Sequence, residues 1–198
     1  MIDEFQPLRS QSLPVGTLLT RASRDKAKHI TRESSAFAVM TDFNHVRPFS
    51  VTTTATINQI NQKMIACGLR LLFVSENNNA LLLGLVTYND LFGNKPVRYL
   101  QEHGGSHNEI LAADIMTPLN ALKALSQSDV AKARVGDIVE TIESSDRQHV
   151  LVVDDSGDGV PVISGLFSSK DLERKLGINI EITPRANTFA DLERALRR

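Results

Sequence analysis

Apolar residues along this chain follow two spacings, one that suits a helix face and one that suits a buried strand. Four of them recur at intervals that place them on one side of a helix: Ile57, Ile60, Met64 and Ile65. The runs 71–74 and 81–86 are short and mainly apolar, which predicts two buried strands. A β-prone segment at 49–51 precedes the helix, and a second helix is expected after Thr87. The predicted order is therefore β-α-β-β-α.

The same order of patterns returns in the second half of the chain. A second helical stripe consists of Val135, Ile138, Val139 and Ile142. The runs 150–153 and 160–167 predict two further buried strands, separated by a polar turn. A helix is expected over 169–176, and Gly177 suits its end because glycine readily adopts a left-handed conformation. The chain is thus predicted to be α/β (α+β), with two β-α-β-β-α repeats.

An eight-residue phrase makes the repeat specific. It reads glycine, two apolar residues, a hydroxyl, two variable residues, aspartate and leucine, and it occurs at 84–91 and again 81 residues later at 165–172. Internal repetition of this kind indicates a duplicated unit. Each copy brings a hydroxyl and a carboxylate to the start of a predicted helix: Thr87 with Asp90, and Ser168 with Asp171.

The repeats define the domain organisation. We expect an N-terminal arm that can carry a helix, a first repeat, a linker, a second repeat and a C-terminal extension, over residues 1–35, 36–102, 103–111, 112–178 and 179–198. In the extension, three apolar residues are spaced for one face of an amphipathic helix: Phe189, Leu192 and Leu196. A helix this short needs a docking surface to persist.

Composition narrows the classes of function. Basic residues number 22 against 23 acidic ones, so the basic excess typical of nucleic-acid-binding proteins is missing. The one cysteine, Cys67, favours a reducing, cytoplasmic setting. The N-terminus does not read as a signal peptide, and the apolar runs are shorter than the roughly 20 residues of a membrane-spanning helix. We expect neither a nucleic-acid nor a membrane partner.

The duplicated phrase, the matched helical stripes and the openings at 39–41 and 115–117, which read Val-Met-Thr and Ile-Met-Thr, resemble a pair of CBS domains, also called a Bateman module. The resemblance covers about residues 36–178. It implies a stand-alone regulatory module whose repeats pack with pseudo-two-fold symmetry and whose copies pair into a homodimer. It also implies AMP, ADP or ATP as the ligand, although some family members bind S-adenosylmethionine or no nucleotide.

Two interpretations of the hydroxyl–carboxylate pairs are open. In the first, each pair only caps its helix, because the hydroxyl accepts from a free backbone N–H and the carboxylate favours the positive helix end. In the second, which the resemblance implies, Asp90 and Asp171 accept the ribose hydroxyls of a nucleotide. Thr87 and Ser168 then hold ribose or phosphate. The two roles are compatible.

Seven further residues are candidates for the same clefts: Gly84, Gly165, Arg70, His149, Lys170, Phe49 and Val51. The two glycines suit either a bulge or a ligand that approaches the backbone closely. The basic residues suit either a phosphate or an exposed surface. The resemblance makes the segment 49–51 the apolar slot for adenine in repeat one. The matching segment in repeat two, 122–129, is longer and more polar, and so departs from the pattern of an adenine slot.

No residue set combines a nucleophile, a base and an oxyanion donor, so neither catalysis nor a catalytic residue is expected. A metal site is not expected either. His103, His107 and Glu109 have helical spacing, but two intervening glycines disfavour the helix. The stretch 154–159 begins like a calcium loop that lacks its final glutamate.

The hypothesis is a non-catalytic sensor that requires no cofactor and binds an adenine nucleotide. The alternative is a ligand-free dimeric scaffold that acts on an unidentified protein partner through its terminal extensions.

Overall fold

The computed structural model describes residues 30–76, 81–145, 147–155 and 159–182. Within these ranges the strands are β1 (Thr41–Asp42), β2 (Ser50–Val51), β3 (Leu71–Glu76), β4 (Leu81–Thr87), β5 (Thr117–Pro118), β6 (Ala124–Ser126), β7 (His149–Asp154) and β8 (Val162–Ser168). The helices are α1 (Ile57–Cys67), α2 (Tyr88–Phe92), α3 (Asn94–His103), α4 (Ala112–Ile115), α5 (Gln127–Val130), α6 (Val135–Glu143) and α7 (Ser169–Leu176).

The mixed α+β class is confirmed, and each half contains the predicted β-α-β-β-α order. Repeat one follows the order β2, α1, β3, β4, α2, and repeat two follows the order β6, α6, β7, β8, α7, with the short α5 after β6. The last helix ends at Gly177 as predicted, where a φ of 68° is left-handed. Repeat one differs, because Gly93 separates α2 from a further helix, α3.

The two four-stranded sheets exchange a strand with each other. One sheet has the order β1-β8-β7-β6 and the other has the order β2-β3-β4-β5. The β1 strand therefore opens repeat one in the chain but pairs with repeat two, where Thr41 lies opposite Leu166. The β5 strand makes the reciprocal pairing, with Thr117 opposite Leu85. These are the two Met-Thr openings of the sequence, and hydrophobic patterns alone did not predict that they cross over.

The glycines of the duplicated phrase lie where the exchanged strands cross. A Cβ atom on Gly84 would come within 2.3 Å of the backbone oxygen of Thr117, and one on Gly165 would come within 2.7 Å of the Met40 sulfur. Beside each glycine the pairing with the central strand also shifts register. Close approach of protein backbone and side chain thus accounts for both glycines without a ligand.

Three apolar clusters hold these layers together. Two lie between a sheet and its helices, and the predicted stripe of α6 is buried in one of them. The third joins the two sheets to each other, with a buried centre of Leu71, Phe73, Leu85 and Leu151. This inter-sheet cluster fixes how the repeats face each other.

One residue of the predicted α1 stripe lies on the wrong side of the helix. Ile57, Ile60 and Met64 are buried, whereas Ile65 is 72% exposed. The helix turns by about 100° per residue, so Ile65 points about 100° away from Met64 and lies outside the narrow buried face. The inclusion of Ile65 in the core stripe was therefore wrong.

Several predicted features lie outside the described residues: the arm up to residue 29, the turn residues 77–80, part of the calcium-like stretch (156–158) and the helix expected from Thr188. None of the described helices has the length and apolar content that a membrane span requires.

We predict that Gly84→Ala lowers the free energy of unfolding by about 2 kcal/mol, because a backbone carbonyl of β5 must retreat from the new methyl group. Gly165→Ala is the matched variant, and it should cost about 1 kcal/mol, because the flexible Met40 side chain can move aside. Urea denaturation measures both changes. Equal losses would contradict the role given to the crossing strand at Gly84.

Candidate functional site

Two clefts lie between the repeats, at the end of the sheets where β3 and β7 begin and β4 and β8 end. Cleft A has a volume of about 230 Å³, and its lining includes Thr87, Asp90, Thr117, Leu122, Lys123 and His149. Cleft B has a volume of about 450 Å³, and its lining includes Phe49, Arg70, Ser168, Lys170, Asp171 and Arg174. His149 lines both clefts, which are therefore neighbours across its ring.

The structure brings most of the sequence candidates to these clefts. Thr87 and Asp90 line cleft A, whereas Phe49, Arg70, Ser168, Lys170 and Asp171 line cleft B. Three candidates lie elsewhere. Gly84 and Gly165 lie at the strand crossings, and Val51 packs against the apolar cluster between the repeat-one sheet and its helices.

Each cleft combines a motif with a segment that the sequence had assigned to the other repeat. In cleft B, Ser168 and Asp171 face the segment after β1, which includes Phe43 and Phe49. In cleft A, Thr87 and Asp90 face Leu122 and Lys123, which come after β5. This pairing differs from the sequence prediction, which grouped Phe49 with repeat one. The physical reason is the exchange of β1 and β5, which carries each following segment to the opposite sheet.

In cleft A the carboxylate of Asp90 is fully engaged by the protein. One oxygen, Oδ2, accepts from the backbone N–H of Thr87 at 2.7 Å and from its hydroxyl at 2.8 Å. The other oxygen, Oδ1, lies 2.7 Å from Nζ of Lys95. The same ammonium donates to the Ile115 carbonyl at 2.8 Å and lies 3.2 Å from the Thr117 hydroxyl. Asp90 thus fulfils the capping interpretation and also ties α3 to the crossing strand.

In cleft B the corresponding pair is more accessible. Ser168 makes no side-chain cap hydrogen bond at the start of α7. The Asp171 carboxylate, 38% exposed, pairs with Arg174 at 2.7 Å, and that guanidinium is 76% exposed. Exposed pairs of this kind contribute little to stability, so a ligand can replace them at small cost.

Cleft B is also the more basic of the two. Four basic residues line it: Arg47, Arg70, Lys170 and Arg174. Lys170 pairs with Glu173 at 2.6 Å. Arg70 lies over the ring of Tyr88 at 5.0 Å from its centroid, a cation–π contact that leaves the edge of the guanidinium free to donate hydrogen bonds.

His149 separates the clefts and is neutral near pH 7. Burial lowers the pKa of its imidazole to about 4. The carboxylates of Asp171 and Asp90 oppose this shift, while the nearby charge of Arg70 adds to it. A neutral ring can donate one hydrogen bond and accept another, so His149 can serve a ligand without adding a charge.

Two residues around the clefts were not anticipated from the sequence. Arg47 reaches cleft B because it comes after the crossing strand β1, and Lys95 reaches Asp90 because α3 turns back towards β5. Neither position has a counterpart in the duplicated phrase, so internal repetition held no signal for them.

No group of three or more residues that could hold a metal ion occurs within the described part of the chain. His103, one of the residues considered from its spacing, stacks on Tyr99 at the end of α3. Glu109 accepts a hydrogen bond from the Ser106 backbone N–H at 2.8 Å. That hydrogen bond lowers the pKa of the Glu109 carboxyl below its usual range.

Comparison with known proteins gives similarity at the level of the fold. No family model and no curated protein matches the chain. An uncharacterized conserved protein from Pyrococcus horikoshii has a TM-score of 0.52 at 16% identity, covering 78% of this chain and 100% of that one. MJ1225 from Methanocaldococcus jannaschii has a TM-score of 0.50 at 16% identity, covering 71% of this chain and 49% of that one. For CBSX2, a CBS-pair protein from Arabidopsis thaliana, the structure in complex with AMP has a TM-score of 0.47 at 16% identity, covering 71% and 94%.

The lowered pKa of His149 predicts how stability depends on pH. Its pKa is near 6.5 when unfolded and about 4 when folded, so the unfolded chain binds more protons between these values. The free energy of unfolding should therefore rise with pH across this interval and level off above it. We expect His149 to account for about 3 kcal/mol of the rise.

Urea denaturation across this pH range, with His149→Gln beside the unmodified chain, isolates the contribution of one imidazole. The carboxylates titrate in both proteins, so the difference between the two curves reports His149. His107→Gln is the control, because that residue is exposed. If His149→Gln retained the full acid sensitivity, the assignment would be wrong.

Proposed function

The chain has the fold of a tandem CBS-domain pair, and from this premise we propose that it is a regulatory module that binds an adenine nucleotide in cleft B. One observation carries the proposal: Asp171 and Ser168 lie in a basic cleft of about 450 Å³ without the capping hydrogen bonds that occupy the matching pair in cleft A. The volume falls within the range of ordinary ligand pockets.

The chemistry of the lining suits the three parts of a nucleotide. The two ribose hydroxyls donate to the carboxylate of Asp171, which accepts hydrogen bonds at both oxygens. The Ser168 hydroxyl and the guanidinium groups of the cleft, Arg70 among them, receive the phosphates, because a phosphate anion favours guanidinium partners. The adenine ring lies against the apolar side chains of Phe43 and Phe49 on the segment after β1.

Cleft A has a structural role in this proposal. It is about half the volume of cleft B, and a ribose there would have to displace Lys95 from an Asp90 side chain that is only 12% exposed. Such a displacement would also release the carbonyl of Ile115 and with it the hold on the crossing strand. We therefore expect one nucleotide for each chain.

Regulation follows from the composition of cleft B. Arg70 belongs to repeat one and Asp171 to repeat two, so a ligand that contacts both bridges the repeats. Binding shifts a conformational equilibrium only when the ligand prefers one arrangement over another. A bridging ligand has such a preference, because it makes all of its contacts at one angle between the repeats. A protein partner that recognises this angle would sense the nucleotide.

We predict that Asp171→Ala weakens adenine-nucleotide binding at least tenfold, because the ribose loses a charged acceptor. Asp90→Ala should leave the affinity within about threefold of the unmodified chain, although it should lower the free energy of unfolding by about 2 kcal/mol. Isothermal titration calorimetry with AMP, ADP and ATP measures the first effect, and urea denaturation measures the second.

The opposite result separates the sensor from the scaffold. If none of the three nucleotides gives heat with the unmodified chain, the ligand-free scaffold is favoured. In that case, truncation of residues 186–198 should abolish partner capture.

We further propose that two copies pair through the helices of repeat one. Four apolar side chains of these helices are exposed: Ile65 by 72%, Tyr88 by 37%, Phe92 by 56% and Val97 by 56%. Among the described residues, α6 and α7 of repeat two expose no large apolar side chain to this extent. Exposed apolar side chains on the helices of only one repeat suit a two-fold pairing of like with like.

We predict that the double variant Ile65→Asp with Phe92→Asp raises the dimer dissociation constant at least tenfold, because two buried carboxylates would lack partners. Analytical ultracentrifugation measures the constant. Val160→Asp is the control, since that side chain is 74% exposed but does not lie on a repeat-one helix. A chain that is monomeric without substitution would contradict this pairing.

A further inference from the structure

We infer that cleft B selects nucleoside di- and triphosphates over AMP through Arg47 and Arg70, and that Arg174 distinguishes AMP from the uncharged nucleoside. The inference rests on the proposed function and adds to it the class of nucleotide and the residues that distinguish it. It depends on the ion pair between Arg174 and Asp171. In a complex with a nucleotide, Asp171 would bind the ribose and Arg174 would bind a phosphate.

The basic residues of cleft B come from three separate elements. Arg47 lies between β1 and β2, Arg70 precedes β3, and Lys170 and Arg174 lie on α7. Asp171 is the one carboxylate in the described lining. A cleft with four cations and one carboxylate suits a ligand with several negative charges.

The cations are not equally available to a ligand. Lys170 is held by Glu173 at 2.6 Å, and hydrogen bonds from Lys170 and then from the Ile180 backbone lower the pKa of that carboxyl. No ion pair within the described residues involves Arg47 or Arg70. The guanidinium groups are therefore the partners that remain for phosphate.

Ribose binding exchanges the partners of the Arg174–Asp171 pair. When the ribose hydroxyls donate to Asp171, the carboxylate gains hydrogen bonds that compete with Arg174 at 2.7 Å. Because Arg174 is 76% exposed, giving up this pair reduces affinity by about fivefold at most. The guanidinium is then free to bind a phosphate oxygen close to the ribose that released it.

This exchange predicts that neither half of a nucleotide is a good ligand alone. Adenosine takes Asp171 and leaves Arg174 without an anion. Inorganic phosphate takes Arg174 and leaves Asp171 facing another negative charge. A nucleotide satisfies both groups, so its affinity exceeds what the separate parts suggest.

A chain of phosphates uses the cleft better than one phosphate does. A single phosphate next to the ribose is shared between Ser168 and the released Arg174. Arg47 and Arg70 lie on different elements from these residues, so a second and a third phosphate have their own guanidinium partners. We expect about threefold to tenfold in affinity for each added phosphate, given the exposure of the site.

The test is isothermal titration calorimetry on the full chain with adenosine, AMP, ADP and ATP in magnesium-free buffer. For the unmodified chain, affinity should rise along this series, with ATP at least tenfold tighter than AMP. For Arg174→Gln, the ratio of AMP to adenosine affinity should fall to about threefold or less, while the ratio of ATP to AMP affinity persists. For the double variant Arg47→Gln with Arg70→Gln, the ratio of ATP to AMP affinity should fall to about threefold or less. Adenosine should bind Arg174→Gln as tightly as, or about threefold tighter than, the unmodified chain, because Asp171 no longer has a competing partner.

The controls separate specificity from folding and from the proposed function. Arg98→Gln removes an exposed arginine of a comparable ion pair on α3, with Glu102 at 3.4 Å, and should leave the series unchanged. This inference is overturned, while the nucleotide site stands, if ATP binds no tighter than AMP or if the Arg47 and Arg70 double variant retains the ratio of ATP to AMP affinity. It is likewise overturned if Arg174→Gln retains the ratio of AMP to adenosine affinity. If no member of the series binds even to Arg174→Gln, the proposed function fails together with the inference.

Discussion

The exchange of β1 and β5 between the two sheets is the constraint on which the rest of the structure depends. The β5 backbone lies so close to β4 that only glycine fits at Gly84, and the Met40 side chain, just before β1, packs closely against Gly165. The exchange also brings the sheets together around a shared cluster centred on Phe73 and Leu151. The two repeats therefore form one folded unit. Neither sheet is complete without the opening strand of the other repeat.

The clefts inherit their composition from this exchange. A segment that comes after a crossing strand lines the cleft of the opposite motif, so Phe49 faces Asp171 and Lys123 faces Asp90. A site built from both repeats changes shape whenever the repeats move relative to each other. The fold therefore links occupancy of a cleft to the angle between the repeats without any dedicated hinge, which is the physical basis of regulation in the proposed function.

The sequence predicted the individual strands and helices, but it did not predict which strands pair with each other. Buried stripes and apolar runs predicted the central strands and helices because each pattern spans adjacent residues, and only Ile65 was placed on the wrong face. The hydroxyl and carboxylate of each motif were also predicted to lie together in a cleft, because they are three residues apart within one short pattern, and each pair lines one cleft. The crossing of β1 and β5, and with it Arg47 and Lys95, is a relation between distant segments, and a hydrophobic pattern contains no information on which sheet a two-residue strand joins.

The two copies of the motif have the same pattern but different surroundings, because the helices that follow them in the chain differ. In repeat one, Gly93 ends α2 after five residues and lets α3 bring Lys95 back against Asp90, in a pair whose carboxylate is 12% exposed. In repeat two, α7 continues without a break, and its own Arg174 reaches Asp171 from the solvent side. A partly buried pair that also holds a crossing strand is costly to open, whereas an exposed pair between residues one turn apart opens readily. The same hydroxyl and carboxylate are therefore committed to structure in one repeat and available to a ligand in the other.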